Sequence, residues 1–372
     1  MKLEFIERSN TMKTLLEETI ELRHQLNQIP EKSECEVKTM ALLKEWIKNH
    51  LNNPNYELVD KQTWFYVVYK SINPTRKPIA YRADMDAVTV NEEVVRHLCG
   101  HEGHSATLAG YLVSLQDQAF DRDIYFVFQH AEENGAGGKV CASLMKEKEI
   151  EEVYAYHNIP KYETGTCLIK EKTFACSSTG LILRFIGAIS HAAYPELGKN
   201  PTYAVAKVIN YIEEFNKKER DYIEFATIVG SKMGNASFGV ACGDADLMVT
   251  IRSEIEDHVH ELVREVLELS ETLAKEYDLE FSHEFVDPFP MTYNTPERVN
   301  KVIEVCKENN IPVEILKEPF RWCEDFGQFL KQTEGSIFGL GNGINSEGLH
   351  TDNYEFNDEI ITNAWTIFKG LI

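Results

Sequence analysis

No apolar run in the sequence comes close to the roughly 20 residues that a membrane-spanning helix needs, which argues against a transmembrane protein. The first residues, Met1-Lys2-Leu3-Glu4-Phe5-Ile6-Glu7-Arg8, hold no apolar core and no small-residue cleavage site. No signal peptide is therefore expected, and the expected location is cytoplasmic. The eight cysteines (35, 99, 141, 167, 176, 242, 306 and 323) include no CxxC pair, so their spacing is not a disulfide framework. Positive charge is scarce: 38 Lys and Arg stand against 60 Asp and Glu, for a net charge of −22. Such a chain repels nucleic acid and anionic membrane, so neither is an expected partner. No internal repeat and no low-complexity segment is present.

What remains is a chain of 372 residues, 43% hydrophobic and 26% charged, long enough for a large core and two domains. A helix is expected from about Thr14 to Gln28, ending before Pro30. Ser33-Glu34-Cys35-Glu36 has the spacing of a capping box, with Ser33 as N-cap of a helix that carries Val37, Met40, Leu43, Ile47 and Leu51 on one face. Strands are expected at Trp64–Tyr69, Pro78–Arg82, Asp123–Gln129 and Val153–Tyr156, with helices after His104 and near Gly138 to Lys148. Near-continuous apolar strands alternating with helices imply a mostly parallel, buried sheet with helices on both faces, an α/β fold.

From about Ser178 to Pro288 the order becomes β-α-β-β-α-β, the ferredoxin-like sequence, and reads as an inserted α+β domain over residues 178–288. The catalytic domain is then split into residues 1–177 and 289–372. Its closing pieces are a helix over Thr295–Asn309, a strand near Ser336–Leu340 and a helix over Asp358–Leu371.

The densest chemistry lies in His97-Leu98-Cys99-Gly100-His101-Glu102-Gly103-His104, a loop entering a helix. Imidazole, thiol and carboxylate together suit borderline-soft divalent metals. In an extended turn Cys99 and His101 would point the same way and reach one ion. Asp84 and Asp86, Glu132 and Glu133, and His157 each stand at or after a strand end. Ligands of parallel sheets bind beyond those ends. Asp84, Asp86, Cys99, His101, Glu133, His157 and His350 supply about as many donors as a two-metal centre needs when ligands are shared. Of the adjacent pair Glu132 and Glu133, one can ligate while the other faces substrate as a general base. Asp86 suits the orienting of a ligating imidazole.

Four stretches carry a resemblance: Tyr81-Arg82-Ala83-Asp84-Met85-Asp86-Ala87, His97-Leu98-Cys99-Gly100-His101, Phe128-Gln129-His130-Ala131-Glu132-Glu133 and His191-Ala192-Ala193-Tyr194-Pro195. Glu324-Asp325-Phe326 and Gly348-Leu349-His350 add to it. In order and over nearly the whole chain, they resemble the M20 metallopeptidase superfamily, in the amidohydrolase branch that holds hippurate hydrolases and N-acetyldiaminopimelate deacetylases. The resemblance implies metal ligands at Cys99, His101, Glu133, His157 and His350, with Glu132 as the base. It sets Asp84 where related branches have a metal-binding histidine, and Asp86 at their orienting aspartate. It implies that the inserted domain makes a homodimer and that its His191 helps hold the scissile carbonyl, with Asn235 and Arg252 on the substrate side.

The chain departs from that pattern in three places. Glu102 stands where Asp is usual, the loop between Asp86 and His97 is short, and Cys323 replaces a small residue. The expectation is a metal-dependent amidohydrolase with two divalent ions, zinc or manganese, with cobalt or nickel as further options. Its expected substrate is a small N-acyl amino acid, N-acetyldiaminopimelate first. A dipeptidase or carboxypeptidase of the same superfamily, and a metal-free binding protein on this scaffold, are the alternatives.

Overall fold

The computed structural model describes residues 2–90 and 93–372, with side chains from residue 12 onward. Asn91 and Glu92, inside the short loop between Asp86 and His97, lie outside the described residues, as does Met1. The described parts of that loop pair as a small hairpin, Val88–Val90 with Val94–Arg96. The chain divides into two compact units.

The first unit comprises Met1–Phe174, Tyr293–Glu318 and Asp325–Ile372. Its eight-stranded sheet has at its centre Ile124–Gln129, Ile79–Asp84, Glu152–Ile159 and Glu334–Gly341, side by side and parallel. Tyr56–Asp60 and Phe65–Tyr69 add an antiparallel edge, and Cys167–Ile169 with Val313–Ile315 completes the other side. Three of the central strands are buried along their whole length, and the fourth, Glu334–Gly341, from Gly335 onward, which explains their mostly apolar sequence. Helix His101–Ser114 is buried from His101 to Val113. It can be, because Gly110 leaves room for Thr19 and Trp365: a Cβ there would stand 2.3 Å from the Thr19 hydroxyl. Leu22, Leu26, Leu108, Leu112, Phe126 and Phe368 join one core, where each large apolar side chain contributes about 1.5–3 kcal/mol.

The second unit comprises Ala175–Thr292 and Pro319–Glu324. Its four antiparallel strands lie in the order Glu224–Met233, Asp244–Ser253, Ser177–Ile186, Glu280–Phe289. Helices Thr202–Asn216 and Glu256–Glu276 supply the two crossings, so Ser177–Ile186 and Asp244–Ser253, the first and third of the four in chain order, are central, as in a ferredoxin-like fold. Leu181, Leu183 and Phe185 alternate inward with Leu247, Val249 and Ile251, and meet Val205, Val208, Leu262 and Val266 of the helices.

Several details differ from expectation, among them the first helix, which runs Lys2–Asn27 and so begins well before Thr14. The short segment Pro319–Glu324, assigned above to the first domain, groups with the second unit. His157 lies inside strand Glu152–Ile159 rather than after it. Ser33-Glu34-Cys35-Glu36 makes no capping box: helix Val37–His50 starts after Glu36 with no side-chain cap there. Glu31 takes that role, accepting hydrogen bonds from the N–H groups of Lys38 (2.8 Å) and Thr39 (2.9 Å). Ser33 and Glu36 are thereby released for other partners.

Candidate metal centre

The parallel strands deliver their C-terminal ends to one edge of the first unit. Asp84 ends one strand, Gln129 ends its neighbour four residues before Glu133, and His157 sits near the end of a third. The loop into helix His101–Ser114 meets them there. Gly100 adopts φ of 94°, so the turn between Cys99 and His101 is left-handed rather than extended. Only glycine fits it, since a Cβ would stand 2.3 Å from Asn158 Oδ1 and 2.4 Å from the Tyr354 hydroxyl. The outcome for the two side chains is convergence all the same. Ligating atoms of Cys99, His101 and His157 lie within 4.8 Å of one another, and all three residues are buried.

Each imidazole is held from behind. His101 Nδ1 is 3.0 Å from Asp86 Oδ1, which directs Nε2 into the cluster. His157 Nδ1 donates to the Asn158 carbonyl at 2.8 Å, leaving Nε2 for Cys99 Sγ at 3.5 Å. His101 Nε2 faces Glu133 at 3.7 Å and Glu132 at 3.8 Å. His350, with φ of 59° and its N–H on the Leu98 carbonyl, brings Nε2 to 3.6 Å from Glu133. Cys99, Glu133 and His350 form a further close group.

The nitrogen–oxygen separations of 3.6, 3.7 and 3.8 Å to Glu133 and Glu132 are too long for hydrogen bonds. They are close to the roughly 3.4 Å between two ligands about 2.1 Å from one tetrahedral ion. Among the described residues, His101 Nε2 and Glu133 Oε1 are buried with no hydrogen-bond partner. Buried polar atoms ordinarily find partners, so two orphaned ligating atoms in one cluster fit a cation between them. The donor set of nitrogen, sulfur and oxygen fits the same class of ion.

The electrostatics agree. Burial pushes the Cys99 thiol well up, with Glu133 adding to it. Burial likewise lifts the Glu133 carboxyl to about 7, helped by Asp86 and Asp84 and opposed by His101. Burial and the neighbouring His104 hold His157 well below the usual imidazole range. A cation would reverse the preference of the thiol and the carboxyl for their neutral forms.

Asp84 lies in a further close group, with His101 and His104. Its Oδ1 is 2.6 Å from His104 Nδ1 and its Oδ2 accepts from Arg82 at 2.5 Å. Burial opposes its charge, but His101, Arg82 and His104 outweigh burial and hold the carboxyl well below the usual range. Arg82 extends the network to Gln129 and to Asp325, each at 2.7 Å. The Asp325 N–H donates to Glu132 Oε1 at 3.3 Å. Glu102 reaches Asn27 at 3.0 Å and stands 3.4 Å from His97, away from the ligating atoms.

The sequence gives no sign of what Arg82, Ser33 and Glu36 do here, whereas His97 and His104 stand outside the expected ligand set as supporting or structural residues. His104 had a signal: three residues beyond His101, it shares that helix face. In the second unit, His191 is exposed on the two-residue strand Ser190–His191, and its Nδ1 accepts the Ala193 N–H at 3.0 Å. Asn235 is exposed after Gly234, and Arg252 is half-buried, donating to the Arg321 carbonyl at 3.1 Å and touching Cys323 Sγ at 3.4 Å.

Comparison with known proteins follows the same lines. A family model described as peptidase family M20/M25/M40 matches residues 80–372. The N-acetyldiaminopimelate deacetylase of Priestia megaterium is 28% identical over 348 residues, 90% of this chain and 92% of that protein. Among solved structures, a putative aminohydrolase from methicillin-resistant Staphylococcus aureus superposes with a TM-score of 0.85 at 21% identity, covering 97% of each chain. The Bacillus subtilis YXEP protein, described as a dinuclear metal binding peptidase from M20 family, superposes at 0.79 and 21% identity, over 96% of this chain and 98% of that one. Among the described residues no helix is long and apolar enough to cross a membrane.

Proposed function

The chain belongs to peptidase family M20/M25/M40, and from that premise we propose that it is a metal-dependent amidohydrolase cleaving the amide of an N-acyl amino acid. The observation that carries the reading is the pair of orphaned, buried ligating atoms, His101 Nε2 and Glu133 Oε1, among converging Cys99, His157 and His350. Those five residues would hold two divalent ions, zinc or manganese, with cobalt or nickel as further options. A bound ion of this kind supplies positive charge that polarises a carbonyl and brings the pKa of water near neutrality.

The chain's own residues supply the rest. Glu132, adjacent to Glu133 and 3.8 Å from His101 Nε2, takes a proton from water at its carboxylate and passes it to the departing amine nitrogen. The Asp325 N–H steadies its other oxygen. Asp86 fixes the tautomer and direction of His101. Asp84 stays charged between Arg82 and His104 and sets the position of the helix that carries His101. On the second unit, His191, Asn235 and Arg252 are the proposed substrate-side residues, His191 toward the scissile carbonyl, and that unit is the proposed homodimer contact.

N-acetyldiaminopimelate is the first candidate substrate, because the curated relative of 28% identity is named for it. A cytoplasmic location suits a substrate of that kind. The test is a panel of N-acetyl amino acids, including N-acetyldiaminopimelate, against dipeptides, with and without a chelator. Chelator-sensitive release of acetate supports the reading. Turnover of dipeptides alone would make the chain a peptidase, and no turnover of either in metal-loaded protein would overturn it.

A further inference from the structure

Glu36 is 3% exposed, yet nothing in the proposed chemistry uses it. Its Oε1 accepts the N–H of Ala131 at 2.7 Å and that of Glu34 at 3.1 Å. Ala131 is the residue before Glu132, and its φ of 48° lies in the left-handed region that a residue with a Cβ rarely adopts. Such a conformation persists when its surroundings over-determine it. The surroundings here are tight. Gly137 donates to the Ala131 carbonyl at 2.9 Å, and Gly135 donates to the Glu132 carbonyl at 2.8 Å. A Cβ on Gly137 would stand 1.6 Å from the His130 carbonyl oxygen. The Ala131 N–H points the other way, and Glu36 is what receives it.

The same short segment also braces the neighbouring strand end. The Ala87 N–H donates to the Glu31 carbonyl at 2.8 Å, and Ser33 Oγ donates to Asp86 Oδ2 at 2.7 Å. Asp86 Oδ2 in turn accepts the Glu133 N–H at 3.0 Å. Residues 31–36 therefore hold the backbone before Glu132 directly, through Glu36, and the backbone after it by way of Asp86.

We propose that Glu36 is a positioning residue for Glu132: by receiving the Ala131 N–H it locks the left-handed turn that aims the Glu132 carboxylate. The inference rests on the reading of Glu132 as the base. It needs only an acceptor oxygen in the right place, so the amide of Gln can replace the carboxyl.

The experiment compares wild type with Glu36→Ala, Glu36→Gln and Glu36→Asp, each loaded with zinc. Hydrogen exchange of the segment 126–138 is measured, together with kcat, KM and bound metal. Glu36→Ala is expected to speed exchange at the turn and to lower kcat about 10- to 100-fold, with KM within about twofold and metal content kept. Glu36→Gln is expected to match wild type in exchange and to restore most of kcat. Glu36→Asp, whose oxygen is drawn back by one methylene, should resemble Glu36→Ala; this contrast decides the matter if Glu36→Ala does not fold. Unchanged exchange, unchanged kcat, a loss confined to KM, or a Gln variant as damaged as the Ala variant would overturn the proposal. A wild type that hydrolyses no N-acyl amino acid would strike the base reading alone. The exchange comparison would still decide whether Glu36 holds the turn.

Discussion

His101 Nδ1 lies 3.0 Å from an Asp86 oxygen while His101 Nε2, on the far side of the same ring, is buried with no hydrogen-bond partner among the described residues. One nitrogen is committed and the other presented, as for an imidazole that ligates a metal. Asp86→Ala is therefore expected to weaken metal affinity by about 10- to 100-fold, because the ring loses its tautomer and its aim. Competition titration against a chromophoric zinc chelator measures it. Unchanged affinity would remove Asp86 from its orienting role.

Glu132 has a different task from its neighbour. Glu132→Gln is expected to lower kcat by about 100- to 10,000-fold, the usual loss on removing a general base. Bound metal should be retained, since Glu133 is the proposed ligand. Steady-state kinetics with elemental analysis of the same sample reads both. Turnover near wild type would reject the base assignment.

Arg82 is 2% exposed and bridges Asp84 to Asp325. Removing it takes the guanidinium from two buried carboxylates, leaving Asp84 to His104 and Asp325 to Gln129 and the Gly138 N–H. Arg82→Met is expected to cost about 3–5 kcal/mol of stability, the usual loss when one partner of a buried ion pair goes. Urea unfolding of the metal-free protein measures it. A loss below about 1 kcal/mol, the level of an exposed ion pair, would show that the network is solvated or dispensable.

Stability should also follow pH through Glu152. Burial opposes its charge, but Arg122, Lys301, Tyr154 and Arg298 outweigh burial and hold its carboxyl below the usual value of 4.5. A depressed carboxyl stabilises the fold when pH is above its unfolded value and loses that contribution as pH falls through the folded one. Urea midpoints should therefore drop below about pH 4.5, and less steeply in Glu152→Gln. An identical acid limb in the variant would contradict this.

The sequence made the ligand types legible because Cys99-Gly100-His101, Glu132-Glu133 and Gly348-Leu349-His350 are short and specific. It made the parallel sheet legible because strands buried on both faces read as apolar runs. The supports were harder to see. Ser33 and Glu36 have the spacing of a capping box, and nothing local distinguishes a serine that caps a helix from one that donates to Asp86 across 53 residues. Arg82 faces Asp325, which is 243 residues away, a pairing that only the folded sheet brings about. The left-handed turn at Gly100 was hidden as well, because its necessity comes from Asn158 and Tyr354 on distant segments.

The most direct test of the metal centre is the number of ions bound per chain, by elemental analysis after equilibration with zinc or manganese and removal of excess. Close to two are expected, falling sharply in Cys99→Ala. One ion or none in well-folded wild type would contradict it.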